Sequence, residues 1–257
     1  MVVRASGSEG GLVTGGQRVR GRGGTVRTGT RTGLRWWNVY EDRASWERRH
    51  PAARVFARWV DEHLVRPHAE LGRDGPVCPF VSHSATRRLV WAGLAPENDR
   101  SAESDVRRTI DDALEVHCAL RGENPSEARG LTLVTMFPEL TRFDLIDAVH
   151  RARKTEVVGQ GLMLGQFYPG CAVPGLWNHD FRPLDAPVPM LVLRTMMSTD
   201  FPFLAARSDW LYAYLTRMAP NLPGKLRWAI AERMRVDGPA AAEITALRAH
   251  APGEHAR

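Results

Sequence analysis

Leu131-Thr-Leu-Val-Thr-Met-Phe137, a helical stretch from Thr141 to Lys154, and Leu162-Met-Leu-Gly-Gln-Phe-Tyr168 follow one another in the middle of the chain. The outer two are short apolar runs, the first rich in β-branched residues, and both have the length of a buried strand. Between them Leu145, Ile146 and Val149 recur at helical spacing, so the unit reads strand, helix, strand. Upstream, Arg88-Leu-Val-Trp-Ala92 is another short strand. A helix joins it to Leu131, capped by Ser101 or Ser104, with Val106, Ile110, Ala113, Leu114 and His117 on its inner face. Met190-Leu-Val-Leu-Arg194 supplies the last strand.

Ahead of these, Pro51 to Leu71 reads as a helix with one buried stripe formed by Val55, Phe56, Trp59, Val60, His63 and Leu64. Gly72-Arg-Asp-Gly-Pro76 breaks it. Val77-Cys-Pro-Phe-Val81 is expected to be extended or turning, because proline pushes the residue before it out of the helical region. The C-terminus reads as helical in three pieces, Ser208 to Met218, Pro223 to Arg235, and Pro239 to about His250. The pattern predicts an α+β or α/β fold, with one mixed sheet of about four to five strands covered by helices and a helical C-terminus. The two strand-helix-strand units should hold parallel neighbours joined by right-handed crossovers.

The charge is unevenly spread. Arginines 4, 18, 20, 22, 27, 31 and 35 face only Glu9 in the first 35 residues, a net of +6 that equals the excess of the whole chain. With ten glycines there and no periodicity, residues 1–38 read as a disordered Gly/Arg-rich tail ahead of a single globular domain at 39–250. Deleting that tail is expected to leave stability unchanged. Only Lys154 and Lys225 are lysine, so arginine use is a general habit of this chain and weak evidence for nucleic-acid binding. The N-terminus shows no apolar core of a secretory signal, and no run of eighteen apolar residues suggests a membrane span. Three cysteines, Cys78, Cys118 and Cys171, fit no complete disulfide scheme and point to a reduced, cytoplasmic protein. Nothing in the sequence speaks to oligomeric state.

Several chemistries lack their motifs. No phosphate loop precedes a helix, Gly159-Gln-Gly161 leads into a strand where a dinucleotide fingerprint would leave one, and no Gly-x-Ser-x-Gly elbow occurs. Cys78, His83, His117, Cys118, Cys171 and His179 could ligate zinc, but none falls in a close ligand pair. His117 reads as a hydrogen-bonded core histidine and Cys118 as a packed thiol. Cys78 precedes Pro79, which turns the chain away and would leave the sulfur projecting as a thiolate ligand to heme iron. A small buried hydrophobe holding a turn is the alternative for the same residue.

The densest signal lies between Gly159 and Leu204, where glycine, proline and aromatic residues crowd a long loop. Long ordered loops in compact domains tend to carry function. This one offers Tyr168, His179 and Arg182 as candidate catalytic groups, with Trp177 and Phe181 as pocket walls. Arg182 and Arg194 could each fork onto a carboxylate or a heme propionate, or be spent on an internal ion pair with Asp180 or Asp200.

Leu71-Gly-Arg-Asp-Gly-Pro-Val-Cys-Pro-Phe80, Leu164-Gly-Gln-Phe-Tyr-Pro-Gly-Cys171 and Leu176-Trp-Asn-His-Asp-Phe-Arg-Pro-Leu184 resemble a bacterial family defined as a domain of unknown function, over about Arg54 to Met218. More remotely, a Cys beside Pro and Phe near the front, Phe137-Pro138 after an apolar strand, and a late aromatic-proline segment are similar to the YqcI/YcgG family, which includes heme-dependent N-oxygenases. That family carries its proline before the cysteine, whereas here it follows. The resemblance implies a heme-dependent oxygenase acting on a nitrogen-containing small molecule in specialised metabolism. Cys78 or His83 would then bind iron, Arg182 or Arg194 a propionate or substrate carboxylate, and Trp177 and Phe181 the ring. The alternative is a non-catalytic domain that binds a small molecule or a partner.

Overall fold

The computed structural model describes residues 26–41, 43–96 and 101–236. Six strands form one sheet: β1 (Val26–Thr28), β2 (Arg35–Asn38), β3 (Val90–Leu94), β4 (Thr132–Met136), β5 (Leu162–Phe167) and β6 (Met190–Thr195). Their order is β1-β2-β3-β4-β6-β5, with β3 and β4 parallel and every other pair antiparallel. The class is the α+β, mixed-sheet arrangement expected, with six strands in place of four to five.

The additional strands come from the segment read as tail. Residues 26–38 pair through β1 and β2 with the edge of β3, and residues 1–25 lie outside the described residues. Local composition lost to two non-local forces. Trp36 is fully buried, and its indole N–H donates to Thr135 Oγ1 at 3.2 Å. The indole lies across Gly93, directly opposite in the register, where any Cβ would meet the ring and Arg35 O at 2.9 to 3.0 Å. Two tail arginines are also committed to α4 (Glu103–Glu123), Arg27 to Glu123 and Arg31 to Glu115 and Asp112.

α4 and α5 (Phe143–Gly159) cover one sheet face, where Ile110, Leu114, Ile146 and Val149 meet Leu133, Leu162, Leu191 and Leu193. The start of α4 is closed by Asp105, whose carboxylate takes the Ala102 amide at 2.8 Å. On the other face, α1 (Arg43–Glu47) and α2 (Pro51–Trp59) bring Trp46 and Phe56, the turn after α2 brings Val60 and Leu64, and α3 (Pro79–Thr86) brings Val81 against Val90, Val134, Met136 and Met190. α6 (Ser208–Met218) and α7 (Gly224–Arg233) form a smaller third cluster with Val158, Met163 and Met196. The helix expected over Pro239 to His250 lies outside the described residues. No helix among the described residues is long and apolar enough to cross a membrane.

Two expectations about topology change. The β3-α4-β4 unit has parallel neighbours, but β6 enters antiparallel between β4 and β5, so the second unit skips a strand. The Pro51 to Leu71 segment is also not one helix. α2 passes into a π-turn at Val60–Leu64, where Val65 N bonds Val60 O, and a 3-10 turn follows at Ala69–Leu71.

Candidate functional site

Proline at the first position of a helix loses nothing, since that amide has no intrahelical acceptor. Pro79 therefore opens α3 in a stretch expected to be irregular, while Cys78 before it stays extended at φ −124° and ψ 97°. The Cys78 amide is tied to Leu64 O at 2.9 Å, which sets the start of α3 beside the π-turn. Arg73 folds over the intervening turn, donating to the carbonyls of Asp74, Pro76 and Val77. Burial lowers the affinity of Arg73 for its proton, and attraction to Cys78 opposes that.

Arg194 reaches the same region from β6, its guanidinium 4.8 Å above the Phe80 ring. It forks onto Asp200, NH1 to Oδ2 at 2.7 Å and NH2 to Oδ1 at 2.5 Å. Burial works against its charge, but Asp200, with a further contribution from Cys78, outweighs burial and keeps it ionised. The internal ion pair is thus the fate of Arg194. Cys78 is left half-buried at a helix N-terminus, within electrostatic reach of two guanidinium groups.

The π-turn presents a second set of groups. His63 stacks on Trp59, centroids 6.1 Å apart and planes 18° from parallel, and meets His68 edge-on at 5.6 Å. Phe181, from the loop 168–189 that joins β5 to β6, packs on both imidazoles, at 4.9 Å from His68 and 6.4 Å from His63. Phe167, at the end of β5, closes the other side against Trp59 at 6.0 Å. His68 Nδ1 accepts the Glu70 amide at 3.2 Å, so the neutral ring carries its proton on Nε2. Burial and the neighbouring His68 push His63 down, while Asp185 pulls the other way. Neither nitrogen of His63 has a hydrogen-bond partner among the described residues.

The loop is fixed over this cluster by close fit. Gly72 is left-handed at φ 78°, and a Cβ there would meet Trp177 at 3.0 Å, so only glycine lets residues 70–72 and 177 touch. Asn178 Nδ2 donates to Glu70 O at 2.8 Å beside that contact. Trp177 is half-buried and faces Gly72 with its backbone and Cβ.

The other expected site residues are dispersed. Tyr168 lies toward the opposite sheet face, stacked on Phe143 at 5.1 Å and donating to Asp147 Oδ2 at 2.8 Å. Burial, then Asp147 and Cys171, push its phenol well up, so it remains a donor. His179 and Arg182 are exposed, and Arg182 donates to the carbonyls of His179 and Phe181, bracing its own loop. His83 is exposed on α3 with its ring against Gly130. Cys171 is 1% exposed and sits behind Tyr168. Cys118 is exposed on the outer side of α4 where a packed thiol was expected, and His117 is buried as expected, near the Leu131 backbone but without a well-formed hydrogen bond. Among the described residues no three His, Cys, Asp or Glu groups gather closely enough to hold a metal ion.

The residues named for iron, propionate and ring therefore do not fit heme as a set. Cys78 and Phe181 share one face, Arg194 is neutralised there by Asp200, and His83 and Arg182 are exposed, Arg182 bound to its own loop. His63 and His68, which complete the cluster, lie in a segment whose helical spacing assigned His63 to a buried stripe. The signal was the rhythm Trp59, His63, His68, three flat polar rings within a ten-residue span just ahead of the glycine break.

Fold and site together define a mixed-sheet α+β domain with a histidine-aromatic cluster roofed by a long loop. The chain belongs to the family described as Domain of unknown function (DUF6875), whose model matches residues 53–229. That span contains the whole cluster and all three sequence motifs. No curated protein and no solved structure matches the chain significantly.

Proposed function

We propose that this protein is a small-molecule-binding domain whose ligand is recognised by His63 and His68 beneath the loop 168–189. The observation that carries this reading is the packing of Phe181 on both imidazoles while His63 keeps both nitrogens uncommitted. Neutral His68 offers Nε2–H as a donor, and His63, held down by burial, offers an acceptor at neutral pH. A donor beside an acceptor between aromatic walls suits a flat molecule with an amide or heteroaromatic edge. Nicotinamide and uracil are suitable probes. Binding should raise the melting temperature by mass action and shift the His63 and His68 ring nitrogens in NMR spectra. Both effects should vanish in Phe181→Ala and His63→Ala; persistence in both variants would defeat the reading.

A heme-dependent oxygenase acting on a nitrogen-containing small molecule is the second reading, and it rests on Cys78 alone. A helix N-terminus with Arg73 and Arg194 nearby is the kind of electropositive, part-exposed setting a thiolate ligand requires. Hemin added to the purified protein should then give a Soret band that Cys78→Ser abolishes. A protein that never acquires one is not a heme enzyme.

A further inference from the structure

A cleft of about 300 Å³ opens at the end of the sheet where β3 and β4 begin, lined by Leu89 and Leu131 just ahead of those strands. Loop 168–189 lies at the other end, since Met190 at the start of β6 faces Met136 at the end of β4. The floor is apolar: Trp91, Leu89, Leu120 and Leu131 are all buried. Arg27 forms one wall, its guanidinium 5.4 Å over the Trp91 ring and paired with Glu123 at 2.5 Å.

The remaining lining charges do not cancel in the same way. Arg87 and Arg88 line the cleft with no acidic partner, and Glu41 and Glu127 line it with no basic partner, among the described residues. Arg88 between them is held in the left-handed region at φ 60°, a conformation a non-glycine residue keeps only when its surroundings enforce it. Asn38 Nδ2 donates to Arg88 O at 2.9 Å and Arg88 NH2 donates to Tyr40 O at 2.7 Å, fixing both ends of the residue. The backbone that presents Arg87 is therefore rigid.

We infer that this cleft is a second binding site, for a small zwitterion with an apolar side group, of the class of a hydrophobic α-amino acid. Arg87 takes the carboxylate, Glu127 or Glu41 the ammonium, and Trp91 with its leucine neighbours the side group. A simple anion would leave the two carboxylates facing it, and a simple cation would face Arg87 and Arg88. The volume is at the small end of ligand pockets, which fits one amino acid and not a nucleotide.

Calorimetric titration of the full chain with L-phenylalanine, 3-phenylpropionate and 2-phenylethylamine tests this. L-Phenylalanine should bind, and each analogue lacking one charge should bind at least about tenfold more weakly. Arg87→Gln and Glu127→Gln, both surface changes, should each weaken L-phenylalanine at least about tenfold while leaving the unliganded melting temperature unchanged. His63→Ala should have no effect, which separates this cleft from the histidine site. The inference is overturned by absence of binding at about 10 mM, by equal binding of either analogue, by indifference to both rim variants, or by loss of binding in His63→Ala.

Discussion

Asp112, wholly buried on α4, takes two hydrogen bonds from Thr32, one from its amide at 2.8 Å and one from its hydroxyl at 2.7 Å. The Arg31 amide adds a third at 3.0 Å. Burial alone would push this carboxyl up, but the bonds from Thr32 and Arg31 outweigh it and hold it below the ordinary range. The turn between β1 and β2 is thus built around a charge that belongs to a helix far along the chain.

Asp112→Ala leaves those donors unpaired and should cost about 2 to 4 kcal/mol in urea denaturation, with faster trypsin cleavage after Arg31 and Arg35. The folded carboxyl is held low, so its contribution is present above the ordinary carboxylate range and is lost as pH falls through the folded value. Acid unfolding should therefore be less steep in the variant. Removing residues 1–38 should be worse still, because it also takes Trp36 out of the core, against the expectation that the segment is dispensable.

Arg194 and Asp200 should behave as one unit. Asp200→Asn or Arg194→Met strands a mostly buried charge and should cost about 3 kcal/mol each. The double variant should cost clearly less than their sum, because no orphaned charge remains. Strict additivity in the cycle would show that the fork contributes nothing as a pair.

His117 sets a pH dependence. Burial, with Arg121 adding, pushes its pKa down to about 4 against an opposing pull from the Leu131 backbone, and neither ring nitrogen makes a well-formed hydrogen bond among the described residues. Unfolded histidine titrates near about 6.5, so between those values the unfolded chain takes up a proton that the folded chain refuses. Stability is full above the upper value and declines as pH drops through the window, by about 3 kcal/mol at its lower end. His150, pushed down to about 4 by burial and then Lys154, acts in the same direction. His117→Leu should flatten the decline and leave stability at pH 7 about equal or higher, since it removes a buried polar group that is poorly satisfied. Chemical denaturation across the window reads both effects.

The three thiols should separate by accessibility. Iodoacetamide should modify Cys118 and Cys78 in the native protein, and Cys171 only once the chain unfolds. Mass spectrometry of the native digest checks this, and early modification of Cys171 would mean that Tyr168 does not cover it. Cys171→Ser is then a core change that disturbs the Tyr168 contact, and it should cost stability where a loop-mouth cysteine would not.

The sequence was readable where burial is local and periodic. β3 to β6, α4, α5 and α6 follow from apolar spacing because each buries a contiguous stripe. β1 and β2 do not, since Thr32 and Trp36 are held by Asp112 and Gly93, partners that no window around residue 30 contains. α3 was hidden because Pro79 constrains Cys78 before it and also opens a helix after it. The insertion of β6 between β4 and β5 is a pairing choice, and periodicity carries no pairing information. At the site, the crowding of Trp177, Phe181 and their glycines located the loop. His63 escaped because a π-turn shifts every following side chain around the axis, and nothing in the apolar pattern announces the extra residue.

β5 and β6 are antiparallel neighbours with Phe167 opposite Met190, a pairing that a two-residue turn can close. The chain spends residues 168–189 on the same connection, and loop closure favours the shorter path only slightly. The excursion is not needed for the pairing itself, but it is packed: Phe181, Ala186 and Val188 belong to the core on the α2 side of the sheet and Cys171 is buried, so joining Phe167 to Met190 by Asn-Gly would keep the β5–β6 register while removing both Phe181 and part of the core. In protein-engineering terms the exposed positions of this loop are the ones open to redesign, while Gly72 and the buried loop residues fix where it sits.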